Sequence, residues 1–219
     1  MLFFIFKVII IEKESSVRIL YYLIIKGELY MKQRFVDIIE DNPVIAAVKD
    51  EEGLEKSISS DGIGVVFILF GDICNIDKIV SRIKNEGRIA MVHMDLITGL
   101  SGKDVALDFI KNNTKADGII TTKQSLIKHA KDLGLYTVLR YFVIDSMALL
   151  NIEKQSSMIQ PDVIEILPGA MPKVLKKISK LSKIPIIAGG LISDKEDVMA
   201  ALSSGAVSVS TTNPNVWVL

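Results

Sequence analysis

The feature that most constrains this chain is a rhythm. From Asn42 onward, eight short runs of β-forming residues alternate with amphipathic helical stretches. The runs cover residues 44–48, 64–70, 89–94, 118–122, 136–142, 162–167, 185–188 and 206–210. They carry few charges and read as almost continuous apolar segments, as strands buried on both faces do. Between them, residues 103–110 set Val105, Leu107, Phe109 and Ile110 among polar neighbours, and residues 125–133 and 173–181 are amphipathic too. Eight βα units at a mean spacing of roughly 23 residues predict an α/β fold: a small, single-domain (β/α)8 TIM-like barrel over residues 31–219. An open doubly wound sheet is the alternative. It needs edge strands, which uncharged runs suit poorly. The stretch Ala116-Asp117-Gly118-Ile119-Ile120 resembles Gln160-Pro161-Asp162-Val163-Ile164, each entering a strand, as a shared grammar of the βα unit.

Residues 1–30 do not follow the rhythm. Two apolar stretches, 1–11 and 18–25, flank a charged break at Glu12–Glu14. Neither reaches the roughly 20 residues of a membrane span, and no small-residue cleavage site follows the first. Lys26-Gly27-Glu28 can be encoded by an A/G-rich string resembling a bacterial ribosome-binding site, just ahead of Met31. Residues 1–30 are therefore expected to be an N-terminal extension from an upstream, mis-assigned start.

Composition narrows the partners. The 219 residues suffice for one domain with a sizeable core. Twenty-six basic residues balance 26 acidic ones, so a polyanion would have to meet a local patch. A single cysteine, Cys74, offers no disulfide framework and suits the cytoplasm. With two distant histidines, a Cys/His metal centre is not expected; an all-carboxylate site stays open. No membrane partner and no cofactor are expected.

In such barrels ligands sit where strands end. Those positions hold His93-Met94-Asp95, Thr121-Thr122-Lys123, Arg140 to Asp145, Glu165 with Pro168-Gly169, Gly189-Gly190, and Ser210-Thr211-Thr212-Asn213. Paired glycines let backbone approach an anion, and hydroxyls after the eighth strand add donors, which is the common phosphate site of the fold. Gly189-Gly190 could equally be a tight turn into a helix capped by Ser193 or Asp194. Arg140 and Lys123 would neutralise the ligand, with Asp95 or Glu165 accepting from its hydroxyls. The same charges could form a structural ion-pair ring, and Lys123 could be a Schiff-base nucleophile. His93 could face the barrel or the helices, and His129 reads as exposed. Lys173, Lys176, Lys177, Lys180 and Lys183 share one helix side, opposite Val174, Leu175, Ile178 and Leu181. That side is either a solvated face or an RNA-contact stripe, with no interleaved aromatic to favour the latter.

Five strings then carry a resemblance: Val92-His93-Met94-Asp95-Leu96-Ile97-Thr98-Gly99, Arg140-Tyr141-Phe142-Val143-Ile144-Asp145-Ser146, Ile164-Glu165-Ile166-Leu167-Pro168-Gly169, Ala188-Gly189-Gly190-Leu191-Ile192, and Val209-Ser210-Thr211-Thr212-Asn213 before Trp217. From Asn42 to the C-terminus the chain resembles the glycerol-3-phosphate-responsive antiterminators. The resemblance implies a barrel that binds glycerol 3-phosphate as effector and acts on leader mRNA of glycerol-utilisation genes, without catalysis. The strand-end reading gives the expected ligand set as Asp95, Lys123, Arg140, Asp145, Glu165, Pro168, Gly169, Gly189, Gly190, Ser210, Thr211 and Thr212. Leu139 stands where the family usually has a polar residue, often Gln, so one ligand contact is not carried over. An aldolase- or isomerase-type barrel enzyme acting on a small phosphorylated substrate is the competing reading. The oligomeric state is not legible.

Overall fold

Each apolar run becomes a strand because it can be buried twice, once toward a barrel axis and once toward helices. The computed structural model describes residues 35–155 and 160–219. The reading of residues 1–30 as an extension lies outside the described residues. Helix α1 runs through residues 35–41. The chain then proceeds β1 (Val44–Val48), α2 (Glu51–Ser59), β2 (Val65–Ile68), α3 (Ile76–Asn85), β3 (Ile89–His93), α4 (Asp104–Asn113), β4 (Gly118–Thr121) and α5 (Ser125–Asp132). It continues through β5 (Tyr136–Phe142), α6 (Ser146–Gln155), β6 (Val163–Leu167), α7 (Pro172–Leu181), β7 (Ile186–Gly189), α8 (Lys195–Ser203) and β8 (Ser208–Thr211), ending in a 3₁₀ turn at Pro214–Val216. All neighbouring strands are parallel and β8 closes on β1, so the sheet is a barrel and the open-sheet alternative falls. The predicted strands are all present, with ends moved by no more than two residues.

Alternation along the strands separates two kinds of core. Ile45, Val65, Phe67, Ile89, Met91, Ile120, Val138, Val163 and Ile187 fill the barrel, together with Phe35 and Ile39 of α1. Phe35 is wholly buried and stacks on Tyr136 at 4.8 Å between centroids. Helix α1 is therefore the plug of the N-terminal end. The alternate residues, such as Ala46, Val48, Ala90 and Val92, pack against the helices. Helix α3 shows why: Ile76, Ile79, Val80 and Ile83 recur at helical spacing and are all buried.

The repeated Asp before a strand has a common purpose. Asp117 accepts from the Ala90 N–H at 2.8 Å and pairs with Lys84 at 2.7 Å. Asp162 accepts from the Thr137 N–H and hydroxyl, each at 2.9 Å, and has Lys131 at 3.7 Å. Each carboxylate ties the start of its own strand to that of the preceding one, with a helix-end lysine balancing the charge.

Candidate ligand site at the C-terminal mouth

Above the apolar filling, the barrel interior turns polar. Arg140 and Glu165 are direct partners in the β5–β6 register. The Arg140 Nε donates to Glu165 Oε2 at 2.6 Å, and the Ser210 hydroxyl donates to Glu165 Oε1 at 2.5 Å. Glu165 is wholly buried, so both oxygens need these donors. It must reach past β7 to meet Ser210, and Gly189 makes that possible. A Cβ there would sit 2.5 Å from Glu165 Oε1 and 2.7 Å from Ser210 Oγ. Anchored through Nε, the Arg140 guanidinium keeps its other nitrogens for the cavity above it.

That cavity measures about 370 Å³. Arg140 and Glu165 lie at its base, Ala47, Leu69 and Leu167 along its sides, and Gly190–Ser193 and Thr211–Asn213 at its rim. Gly190 has φ 74° and Leu191 φ 59°, so two successive residues are left-handed and one of them is not glycine. Such a conformation in leucine is strained and persists only where surroundings hold it. Here the Thr211 hydroxyl donates to the Ile192 carbonyl at 2.7 Å, Asn213 Nδ2 to the Ser193 carbonyl at 2.7 Å, and Trp217 Nε1 to the Thr211 carbonyl at 2.9 Å. The β7–α8 loop and the end of β8 are thus sewn together around the rim. Asp194 caps α8, accepting from the Asp197 N–H at 2.9 Å. The Ser193 hydroxyl and N–H hold the Asp197 carboxyl below its usual range. Because the chain's own carboxylates occupy that helix start, an anion in the cavity depends on Arg140, the hydroxyls and the rim backbone.

A second polar group stands across the mouth. Asp95 Oδ2 accepts from the Thr122 N–H at 2.7 Å and from the Thr121 and Thr122 hydroxyls, each at 3.1 Å. Burial pushes its carboxyl up, but these donors outweigh burial and hold it below the ordinary value. Asp95 Oδ1 is buried without a hydrogen bond, 3.6 Å from Lys123 Nζ. His93, whose facing the sequence left open, continues the inward face of Ile89 and Met91 and is buried. Burial, then the nearby Arg140 charge, lower its pKa to about 4 against the pull of Asp95. It is neutral near pH 7, and its Nδ1 accepts from the Asp95 N–H at 3.3 Å.

The expected ligand set therefore divides. Arg140, Glu165, Gly190, Ser210, Thr211 and Thr212 line the cavity. Gly189 lies just beneath, and Gly169 clamps the rim through its N–H to the Gly190 carbonyl at 3.0 Å. Pro168 precedes that clamp after a cis peptide bond. Asp95 and Lys123 form the separate group across the mouth, and Lys123 is half-exposed. Asp145 is exposed and spends its carboxylate on the Ala148 N–H at 2.9 Å, outside the cavity wall. Leu139 is fully buried on the alternate, outward face of β5, so the family's usual polar residue there would not face the cavity. Leu191, Ile192 and the apolar walls Ala47 and Leu69 were missed. Apolar residues carry no sign of a site until the fold places them. His129 pairs with Asp108 at the surface. Among the described residues, no group of three or more His, Cys, Asp or Glu side chains is placed to hold a metal, and no helix is long and apolar enough to cross a membrane. Lys173, Lys176, Lys177 and Lys180 lie on α7, but Lys183 falls beyond its end at Leu181, so the expected stripe of five on one helix side is shortened to four. All five are exposed, and none pairs with a carboxylate among the described residues.

Comparison with known proteins agrees with this geometry. Residues 44–217 match a family model described as glycerol-3-phosphate responsive antiterminator. The chain is 47% identical over 182 residues to the uncharacterized protein YgcP of Escherichia coli K12, covering 83% of this chain and 95% of that one. The crystal structure of a glycerol uptake operon antiterminator regulatory protein from Listeria monocytogenes superposes with a TM-score of 0.77 at 33% identity, covering 81% of this chain and 95% of the other. A glycerol uptake operon antiterminator-related protein from Thermotoga maritima gives 0.72 at 34% identity, covering 81% and 99%. With the whole barrel matched from β1 to the C-terminal Trp217, the chain belongs to the glycerol-3-phosphate responsive antiterminator family.

Proposed function

We propose that this protein is a cytoplasmic sensor that binds glycerol 3-phosphate in the mouth cavity and acts as a transcription antiterminator on leader mRNA of glycerol-utilisation genes. The observation that carries the ligand reading is Arg140: a buried guanidinium fixed through Nε to Glu165, with its remaining edge open to a cavity rimmed by Gly190 and Thr212. A phosphate fits such an edge by paired, charge-assisted hydrogen bonds. The Glu165 and Ser210 pair, and the rim carbonyls, suit the hydroxyls of the glycerol part. A binding role rather than turnover is supported by membership in a family of antiterminators. Among the described residues, Arg140 is the cation that lines the cavity. The RNA reading rests on family membership and on the α7 lysines, a local patch on a chain without net charge.

The test is calorimetry and thermal shift with glycerol 3-phosphate, glycerol and inorganic phosphate. At a hundred times its dissociation constant the true ligand should add about 2.7 kcal/mol of stability. Gly190→Asp should abolish binding by filling and charging the rim, and Arg140→Ala should weaken it by roughly tenfold to a hundredfold. Equal shifts with glycerol and glycerol 3-phosphate would refute the phosphate site. Turnover of a sugar phosphate without RNA binding would favour an aldolase- or isomerase-type enzyme instead.

A further inference from the structure

A second hollow adjoins the ligand cavity at Thr212. It is a groove of about 250 Å³ between the start of α2 and the C-terminal 3₁₀ turn, walled in part by Pro214 and Trp217. Cavity and groove share two wall residues, Ala47 of β1 and Thr212 after β8. Four charged side chains line the groove, and three of them are engaged. Lys56 Nζ donates to Glu52 at 2.6 Å, and Asp50 caps α2 by accepting from the Gly53 N–H at 2.7 Å. The fourth, Lys49, is exposed and has no ion pair or hydrogen bond among the described residues. It stands one residue past the end of β1. Ile45 and Ala47 point into the barrel, and position 49 is next in that alternation.

The walls around the ligand are neutral. In the cavity the Arg140 guanidinium is matched by the buried Glu165 carboxylate, and His93 nearby is uncharged near pH 7. Across the mouth Lys123 is matched by Asp95. A phosphate monoester carries about −1.5 to −2 charges near pH 7. Enclosing that charge against neutral walls is costly unless a further cation comes to it. Lys56 and Lys123 already face carboxylates of their own, and Lys49 does not. Its ammonium is a point charge on a flexible four-carbon stem, suited to leaning across Thr212 toward an anion held by Arg140. We infer that Lys49 is the second cation of the ligand site, and that it selects a doubly charged phosphate monoester over a singly charged phosphodiester. The inference rests on the phosphate reading of the cavity proposed above.

Calorimetry of the full chain at pH 7.5 tests this with two ligands, glycerol 3-phosphate and its methyl diester, which keeps the glycerol part but only one negative charge. Wild type, Lys49→Met and Lys49→Arg are compared. Lys49→Met keeps the apolar stem and should weaken glycerol 3-phosphate by about tenfold, the loss of one charge-assisted contact, while diester affinity stays within about twofold. The preference for the monoester should therefore shrink by about fivefold or more, and Lys49→Arg should restore it. Lys49 is exposed, so melting without ligand should not change. A Lys49→Met variant that weakens both ligands equally, or neither, overturns the inference and leaves the phosphate site standing. Wild type that binds neither ligand overturns the phosphate reading, and Lys49's role with it.

Discussion

The two ends of the barrel handle buried polarity in opposite ways. At the N-terminal end, Phe35 and Ile39 exclude water, and each Asp latch is closed: Asp162 accepts from the Thr137 N–H and hydroxyl while its own N–H donates back to that hydroxyl at 2.9 Å. At the C-terminal end, Arg140 has an open edge, Asp95 Oδ1 has no hydrogen bond, Leu191 is left-handed, and His93 is buried beside a guanidinium. Satisfied groups stabilise the floor. Groups held short of satisfaction cost stability at the mouth, and those are the groups a ligand can complete.

The comparison breaks most sharply at Phe35. Phe35→Ala should cost about 4 kcal/mol by opening a cavity under the barrel, while the folded fraction binds ligand with unchanged affinity. Chemical denaturation paired with calorimetry checks both halves, and a lost affinity would mean that floor and mouth are not separable.

Acid should expose the cost of the mouth next. His93 titrates at about 4 in the fold and near 6.5 when unfolded, so the unfolded chain takes up the proton first as pH falls. Stability is therefore lost from about pH 6.5 down to about pH 4, by roughly 3 kcal/mol. Of the charges near His93, Arg140 deepens this effect and Asp95 opposes it. Asp95 itself, whose carboxyl is depressed, loses its contribution only at lower pH. In His93→Gln the slope within that window should flatten; a slope equal to wild type would assign the acid sensitivity elsewhere.

Replacing Arg140 and Glu165 together with Met and Leu should change stability by no more than about 2 kcal/mol, in either direction, since a buried ion pair rarely outperforms apolar packing. Phosphate binding should vanish. A large loss of melting temperature would show that the pair supports the fold as the floor latches do. The smallest effect belongs to the outer surface. Lys176→Glu with Lys180→Glu should move stability by less than about 0.5 kcal/mol and leave the cavity intact. If α7 contacts RNA, leader-RNA affinity should drop and its salt slope should fall by roughly 0.7 to 1 per lysine. Filter binding across a salt series decides it, and unchanged affinity removes α7 from the RNA surface.

The sequence by itself determined the barrel. Alternating apolar runs and amphipathic stretches are local patterns, and eight strands that must be buried on both faces leave few other closed arrangements. It also determined that Gly190 and Ser210 lie at strand ends and that Arg140 and Glu165 lie on strands leading to the same mouth, because strand positions follow from the same rhythm. What only tertiary structure decided is which of those residues meet. The Glu165–Ser210 bond spans β7 and exists because Gly189 has no side chain in its path. Asp95 and Lys123 fall across the mouth, Asp145 turns to a helix cap, and His93 turns inward. Such facts depend on barrel stagger and on the direction of side chains across non-neighbouring strands. Local periodicity repeats every two residues and carries no information about a partner 45 positions away.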